Sequence, residues 1–592
     1  MFTSKFLFFI AGLVLQVYFA SAIDDSHAWG YECINRRCEK TQITATNKDT
    51  ILSLRVCRLY CYDDIGTLWP KPTGNVTFLR AVTGVNPNYI KFTTDNFKNN
   101  EFFEMAKERF INIQKNKIQN ISLGGLDMNI DIKAESEDME LNYDVYEGYD
   151  LTIISNANEI NVKITSKNFF GARHALETLS QVIVYDELNT KLVVLAAATI
   201  HDEPKFKHRG ISMDTSRNFY PVRVIKKTIE GLSMAKLNSF HWHITDSQAF
   251  PMEVKSHPDF TKYGAYSKDK VYTADDIKDI VKFAKSRGVR VIPELDAPAH
   301  IGEGWQKKLD LTTCVNYMPY LDYCWQPPCG HMNPIKDELY DVLEDIYREM
   351  LESFTPPVFH MGGDEIFFSC WNTSKPLQDW MLNRGLKLDH DGFLELWGYY
   401  QTNALARMNK VGGSKLPIML WTSELTEEPF ASKFLEKDRY VIQIWTTGDD
   451  SKIQRVLNSG YKVIISNNDA FYLDCGFGSW ASDGLIWCSP YNEWQKVYNN
   501  DIDGMGGARI DQILGGSATI WSESIDEQNL DSKIWPRASA LAERLWTNPK
   551  EHWRNAEPRF LMHQMYLKSS GGLASEVLQP EWCVHNEGLC QL

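Results

Sequence analysis

Two neighbouring carboxylates, Asp364 and Glu365, directly follow His360-Met361-Gly362-Gly363. Acids this close repel one another when both are ionised, so one keeps its proton near neutral pH. A carboxylic acid protonated in that range is what general acid catalysis needs. The paired glycines mark a close approach of the backbone to another group. Placement at a helix start, where carboxylates complement the positive end of the peptide dipoles, is the other account of the same pair. Neighbours on a strand point to opposite faces, so they do not readily flank one scissile bond as acid and nucleophile. A nucleophile carried by the substrate removes that difficulty.

Similar polar clusters recur along the chain. Asp214-Thr-Ser-Arg217, His241-Trp242-His243-Ile-Thr-Asp246-Ser-Gln248 and Glu294-Leu-Asp296-Ala-Pro-Ala-His300 precede the acidic pair. Trp445, Tyr472-Leu-Asp474 and Trp521-Ser-Glu523 come after it. Any one of these residues alone reads as a structural hydrogen bonder; together they read as a site. His241 and His243 lie on one strand face and, with Asp246, sketch a metal site. No third His stands at ligand spacing, and polar residues lining a barrel explain the pair as well, so no metal is expected. Gly362-Gly363 and Gly515-Gly516 lack the spacing of a phosphate or dinucleotide loop, and no Gly-x-Ser-x-Gly elbow occurs. No cofactor is expected.

The elements that must position these groups alternate in type. Buried-strand patterns cover 210–213, 239–244, 289–292, 358–361, 417–421, 441–445, 463–466 and 518–521, with helical patterns between them at 222–235 and 274–287. Eight such repeats, each followed by a polar cluster, argue for a parallel (β/α)8 TIM barrel over residues 206–592. Residues 23–205 read instead as a small α+β domain with a Cys-rich start. Its clearest helix pattern runs from 169 to 184, with Ala172, Leu176, Leu179 and Val182 forming an apolar stripe. The carboxylates and lysines of this region read as solvated faces.

Composition narrows the function classes. The chain has 592 residues, 43% hydrophobic and 12% aromatic, which excludes intrinsic disorder. A net charge of −15 repels phosphate backbones, so no nucleic acid partner is expected. The 18 Trp exceed what a core alone requires, and flat exposed aromatics also stack on sugar rings. Residues 1–22 read as a secretory signal: Lys5, the apolar run 6–14, and Ala20-Ser21-Ala22 as cleavage site. Later segments are too short to span a membrane, so no membrane association is expected. Export makes the sequons at Asn75, Asn120 and Asn372 glycan acceptors, and an oxidising compartment suits the 12 Cys as structural disulfides. Their connectivity does not follow from spacing.

Taken together, His360-x-Gly-Gly-Asp-Glu365, His241-Trp-His-x-x-Asp246, the later Trp residues and Trp521-x-Glu523 resemble family 20 glycoside hydrolases, the β-N-acetylhexosaminidases. The resemblance runs from about residue 60 to 550, and the Cys-rich start and Pro-Pro-Cys-Gly turn resemble arthropod members most. It implies a small α+β domain before a catalytic barrel, and exo-acting hydrolysis of terminal β-linked GlcNAc or GalNAc. The substrate's acetamido group is then the nucleophile, a scheme outside the usual two-carboxylate pattern. By the same resemblance Glu365 is the general acid/base, Asp364 orients the acetamido group and Tyr472 hydrogen-bonds its oxygen. Trp445, Trp480 and Trp521 wall the acetamido pocket, and Arg217, Asp474 and Glu523 grip the sugar hydroxyls. Asp246 and His300 support Glu365, and Trp487 is an aromatic for the second sugar. The implied disulfides are Cys33–Cys61, Cys38–Cys57, Cys314–Cys370, Cys324–Cys329, Cys475–Cys488 and Cys583–Cys590. The implied state is a secreted or lysosomal homodimer with an oligosaccharide substrate.

One loop departs from the family pattern. Cys324-Trp325-Gln326-Pro-Pro-Cys329 carries Gln where Glu is expected, keeping hydrogen bonds but losing charge. The natural glycan, chito-oligomer or glycoconjugate, stays open. A non-catalytic sugar-binding barrel is the competing class, but such proteins lose the acid, and Glu365, Asp364 and Tyr472 are all present. An endo-chitinase would show Asp-x-x-Asp-x-Asp-x-Glu after strand four, which is missing.

Overall fold

A computed structural model describes residues 27–62, 66–118 and 124–590. The signal segment and Asn120 lie outside them. Eight parallel strands close into a barrel in chain order: His208–Asp214, Ser239–His243, Arg290–Glu294, Phe359–His360, Ile418–Trp421, Tyr440–Ile444, Lys462–Ile465 and Ile513–Ile520. Helices cover the outside, so the strands are buried on both faces and read as nearly continuous apolar runs. The expected barrel is therefore present. Its polar strand residues are placed by register: Asp214 pairs with His243, His243 with Glu294, and Glu294 with His360. Four strands thus deliver their polar ends to one level of the barrel.

The preceding region forms an eight-stranded mixed sheet with two helices, Glu101–Asn116 and Phe169–Val182. The second helix ends two residues before the apolar pattern does, because Ile183–Asp186 turns into an edge strand pairing with Lys191–Leu195. All 14 of its residues are buried, not only one stripe. The sheet covers one side and the barrel the other, where Arg173 hydrogen-bonds Ser233 of the barrel helix Val222–Met234.

That placement corrects the expectation of solvated charges. Glu147 of the small domain is buried and receives Arg209 of the barrel through both guanidinium nitrogens, at 3.0 and 2.8 Å. Asn238 Nδ2 and His174 Nε2 complete its shell at 2.9 and 3.0 Å. Asp202 likewise takes Lys236 Nζ at 2.9 Å and Trp546 Nε1 at 2.8 Å. These pairs hide at an interface that the sequence pattern did not show. Burial alone would raise the Glu147 carboxyl, but Arg209 holds it well below the usual carboxylate range.

Six disulfides pin the periphery, among them Cys33–Cys61 and Cys38–Cys57, which fasten the hairpin of Trp29–Ile34 and Arg37–Gln42 to helix Leu54–Cys61. Cys314–Cys370, Cys324–Cys329 and Cys475–Cys488 staple loops on the side where the barrel strands end. Cys583–Cys590 closes the C-terminal turn, which touches the hairpin through Tyr31 OH and His585 Nδ1 at 2.6 Å.

Removing one partner of a buried pair strands the other charge. Arg209→Met should cost about 3–5 kcal/mol, read as a lowered thermal midpoint. An unchanged midpoint would mean that His174 and Asn238 alone satisfy Glu147.

Candidate active site

The C-terminal ends of the barrel strands surround a cleft of about 480 Å³, counting its open mouth. Arg217, Asp246, His300, Asp364, Glu365, Trp445, Tyr472, Trp487, Trp521 and Glu523 all line it. Residues up to 308 apart in sequence meet here: Asp214 Oδ2 accepts from Ser522 Oγ at 2.9 Å, tying strand one to strand eight.

Beneath the cleft, charges alternate in sign. Glu294 is fully buried and receives Trp421 Nε1 at 2.6 Å and His243 Nδ1 at 2.7 Å, while His241 Nε2 stands 2.9 Å and His360 Nδ1, itself an acceptor from Gly362 N, 3.2 Å away. The other nitrogen of His243 contacts Asp246 Oδ2 at 2.7 Å. Asp246 in turn takes Arg217 Nη1 at 2.8 Å and His300 Nδ1 at 3.2 Å. Burial disfavours charge on His243 and His300, yet their carboxylate neighbours win and hold both well above the usual imidazole value. Asp246, despite burial, lies well below the carboxylate range because of Arg217 and His300. The sequence is therefore anion, cation, anion, cation from barrel core to cleft.

His300 faces the acidic turn. Its Nε2 stands 3.5 Å from Glu365 Oε2 and 3.8 Å from Asp364 Oδ2. The acids do not begin a helix; the next one, Phe368–Asn372, starts three residues later. Nor do they diverge as strand neighbours would. Gly362, Gly363 and Glu365 have φ of 65°, 89° and 50°, and this left-handed turn brings both carboxylates to one imidazole. His300 is itself left-handed, with φ of 53°. Such backbone costs about 1–3 kcal/mol per non-glycine residue and clusters at functional sites. Gly362 is required here, since a Cβ would overlap Asp296 Oδ1. Burial, and then the charge of Asp364, push the Asp296 carboxyl well up. Burial pushes Asp364 up as well, with Glu365 adding to it and His300 opposing. Asp364 Oδ1 is buried with no partner.

Aromatic rings form the remaining walls. Trp521 carries the Arg217 guanidinium 5.2 Å above its ring. Trp445 is fixed by Nε1 donating to Thr422 O at 2.8 Å, and Trp487 meets it and Tyr472 edge-on at 6.4 and 6.0 Å. Burial, and next Asp474, push the Tyr472 phenol well up, so it stays a neutral donor. Trp487 is 64% exposed at the cleft mouth.

Two expected residues do not reach the cleft. Trp480 is not a wall: it is 47% exposed, on a hairpin closed by Ser479 N to Gly484 O at 2.9 Å and stapled by Cys475–Cys488. Asp474 is buried behind the wall beside Glu523, its Oδ1 unpartnered. Conversely, Asp296, His243, Trp421 and Gln326 line the cleft without having been assigned to it. Glu294 and Asp296 carried a signal, two acids at and just past the end of a buried strand; Trp421 carried none beyond its strand. As for a cation, His243 with Asp246 and Asp296 brings ligand atoms within 4.8 Å of one another. Both His243 nitrogens already contact carboxylates, which leaves no lone pair for a metal.

The sequence profile described as glycosyl hydrolase family 20, catalytic domain, matches residues 206–549, more than half of the 592. This chain belongs to glycoside hydrolase family 20. A second profile, beta-acetyl hexosaminidase like, matches 77–182 within the small domain. The chitooligosaccharidolytic beta-N-acetylglucosaminidases of Bombyx mori and Ostrinia furnacalis are 45% and 42% identical, over 96% and 100% of each chain. The human beta-hexosaminidase subunit beta is 33% identical over 71% of each. The Vibrio harveyi family 20 exo beta-N-acetylglucosaminidase solved with N-acetylglucosamine superposes with a TM-score of 0.69. At 22% identity, covering 92% of this chain and 84% of that one, it shows a shared fold. The family 20 protein is thus an enzyme, a glycoside hydrolase of the β-N-acetylhexosaminidase type.

The acidic turn gives a direct test. In Gly362→Ala, the added methyl displaces Asp296 or the turn. A misplacement near 1 Å costs about a hundredfold in rate. kcat/KM should fall by about that factor with the fold retained; full activity would show that the close approach is dispensable.

Proposed function

We propose that this family 20 enzyme removes non-reducing terminal β-linked N-acetylhexosamine, GlcNAc or GalNAc, with retention, through an oxazolinium intermediate. The observation that carries the reading is the buried, unpartnered Asp364 Oδ1 beside Glu365, both carboxylates facing His300. An unpaired buried acceptor costs about 1–3 kcal/mol until a donor arrives. The N–H of a 2-acetamido group is such a donor.

In this scheme Glu365, more exposed than Asp364, gives its proton to the glycosidic oxygen. The acetamido oxygen attacks the anomeric carbon, the leaving alcohol departs, and the positive charge spreads over the new ring. Asp364 accepts from its N–H and Tyr472 donates to the acetamido oxygen. Trp445 and Trp521 hold the methyl. Glu365, now a carboxylate, takes a proton from water, which attacks the anomeric carbon and reopens the ring. Two inversions give retention. Arg217 and Glu523 bind the hydroxyls of the terminal sugar, with Asp474 buried beside Glu523, a closed end that makes cleavage exo. Trp480 has no part in the wall.

Chito-oligosaccharides are the favoured substrates, because the two full-length relatives bear chitooligosaccharidolytic names and Trp487 offers a second sugar an indole face. The same reading makes the protein a secreted or lysosomal homodimer. Its disulfides and the exposed Asn75 and Asn372 suit that route. No helix of the described residues is long and apolar enough to cross a membrane.

Glu365→Gln preserves shape but delivers no proton, so hydrolysis of natural glycosides should fall by the 10²–10⁴ typical of acid–base catalysis, roughly. Aryl glycosides with activated leaving groups should lose much less. A thiazoline mimic of the cyclised intermediate should inhibit strongly, whereas trapping a sugar ester on Asp364 or Glu365 would refute the scheme.

Trp487→Ala removes the proposed second platform. Stacking on a flat aromatic is worth about 1–3 kcal/mol per ring in comparable systems. KM for chito-oligomers should rise accordingly, with aryl GlcNAc nearly unaffected. Parallel losses on both substrates, with lower thermal stability, would reduce Trp487 to a packing residue of its stapled loop.

A further inference from the structure

Gln326 occupies the loop that departs from the family pattern, to which sequence alone assigns no role. Its contacts point inward. Gln326 Nε2 donates to Glu523 Oε1 at 2.8 Å, and both residues line the cleft. An ionised or hydrogen-bonded carboxylate oxygen accepts, so the amide nitrogen must face it and the amide oxygen must face away. That oxygen, Oε1, is buried and has no partner.

The loop is held rigidly in this pose. Cys324–Cys329 closes it, and Pro327 O accepts from Gln248 Nε2 at 2.9 Å. Gln248 Oε1 accepts in turn from Arg217 Nε at 3.1 Å. Arg217 and Glu523, the two side chains read above as gripping the terminal sugar, are thus bridged by this loop from both sides. A glutamate at position 326 would set two carboxylates against each other at hydrogen-bond distance. The neutral amide converts that repulsion into a bond and leaves one acceptor over.

We propose that Gln326 is a binding residue of the terminal-sugar pocket, fixing Glu523 through Nε2 and accepting a hydroxyl of the terminal N-acetylhexosamine at Oε1. The proposal rests on the exo-hydrolase reading above and adds a residue to its inner pocket. Groups facing the pair are Arg217 and Asp214 on the Glu523 side and Gln248 beneath the loop.

The test uses 4-nitrophenyl GlcNAc, which fills only the inner pocket, alongside chitobiose and chitotriose. Losing the amide strands one acceptor of Glu523 and one hydroxyl of the sugar, which corresponds to about five- to hundredfold in affinity. Gln326→Ala should therefore raise KM by a similar factor for all three substrates, with kcat changed little. Gln326→Glu is the companion variant. Protonated, its carboxyl both donates and accepts as the amide does; ionised, it repels Glu523. Its KM for the aryl glycoside should lie near wild type in acid and climb with pH beyond the wild-type trend. A KM rise confined to the oligomers would place Gln326 in the outer subsite, and an unchanged KM in a stable Gln326→Ala protein would remove it from binding; either overturns the proposal. Failure of the underlying reading looks different: the wild-type enzyme would not release 4-nitrophenol from the GlcNAc glycoside at all.

Discussion

A carboxylate with no access to water sits where the barrel strands end, and its charge has to be balanced from within the protein. Glu294 achieves this with the charged imidazole of His243 and the indole N–H of Trp421. The consequence travels upward. His243, charged between Glu294 and Asp246, fixes Asp246 as an anion, and Asp246 fixes Arg217 and His300 as cations against the cleft. His243 is paired through both ring nitrogens, to Glu294 and to Asp246, which fixes its place between the two carboxylates. The acidic turn then closes on His300 in a backbone conformation that only an over-determined surrounding sustains.

The opposite end of the barrel solves a different problem with the same means. There Tyr143 of the small domain packs among Ile292, Val358, Met419, Val441 and Ile464, stopping the interior, and its hydroxyl meets His208 Nδ1 at 2.8 Å. Glu147 and Asp202 reach across to Arg209 and Lys236. Barrels carry chemistry at the C-terminal face and stability at the N-terminal face. The small domain therefore works as a lid on the stability face, which explains why it carries no part of the cleft.

How far this was legible follows from which interactions leave a local trace. The eight strands were visible because burial on both faces writes nearly continuous apolar runs, and strand eight was hardest to bound, the expected 518–521 starting five residues inside the observed Ile513–Ile520, whose first half carries Gly515-Gly516. The acidic pair, Arg217, Tyr472, Trp445 and Trp521 stood out as polar or aromatic groups just past strands. Glu147 and Asp202 did not, because a carboxylate paired with a residue 62 or 34 positions away looks identical in sequence to a solvated one. Trp480 misled for the converse reason: loop geometry, not residue type, decides whether a tryptophan faces a cleft. The left-handed turn was half legible, since Gly362-Gly363 announces it but nothing in Glu365 does.

The unpaired atoms of the cleft define what completes it. Asp364 Oδ1 and Gln326 Oε1 are buried acceptors without donors, both on residues that line the cleft. A pocket with that surplus favours a ligand rich in O–H and N–H groups on one face. The other side, formed by Trp445, Trp487 and Trp521, presents apolar faces and edges. A sugar ring meets both demands at once, with hydroxyls around its rim and C–H bonds on its face. On the reading proposed above, the acetamido group that supplies the nucleophile also supplies the N–H that Asp364 Oδ1 accepts.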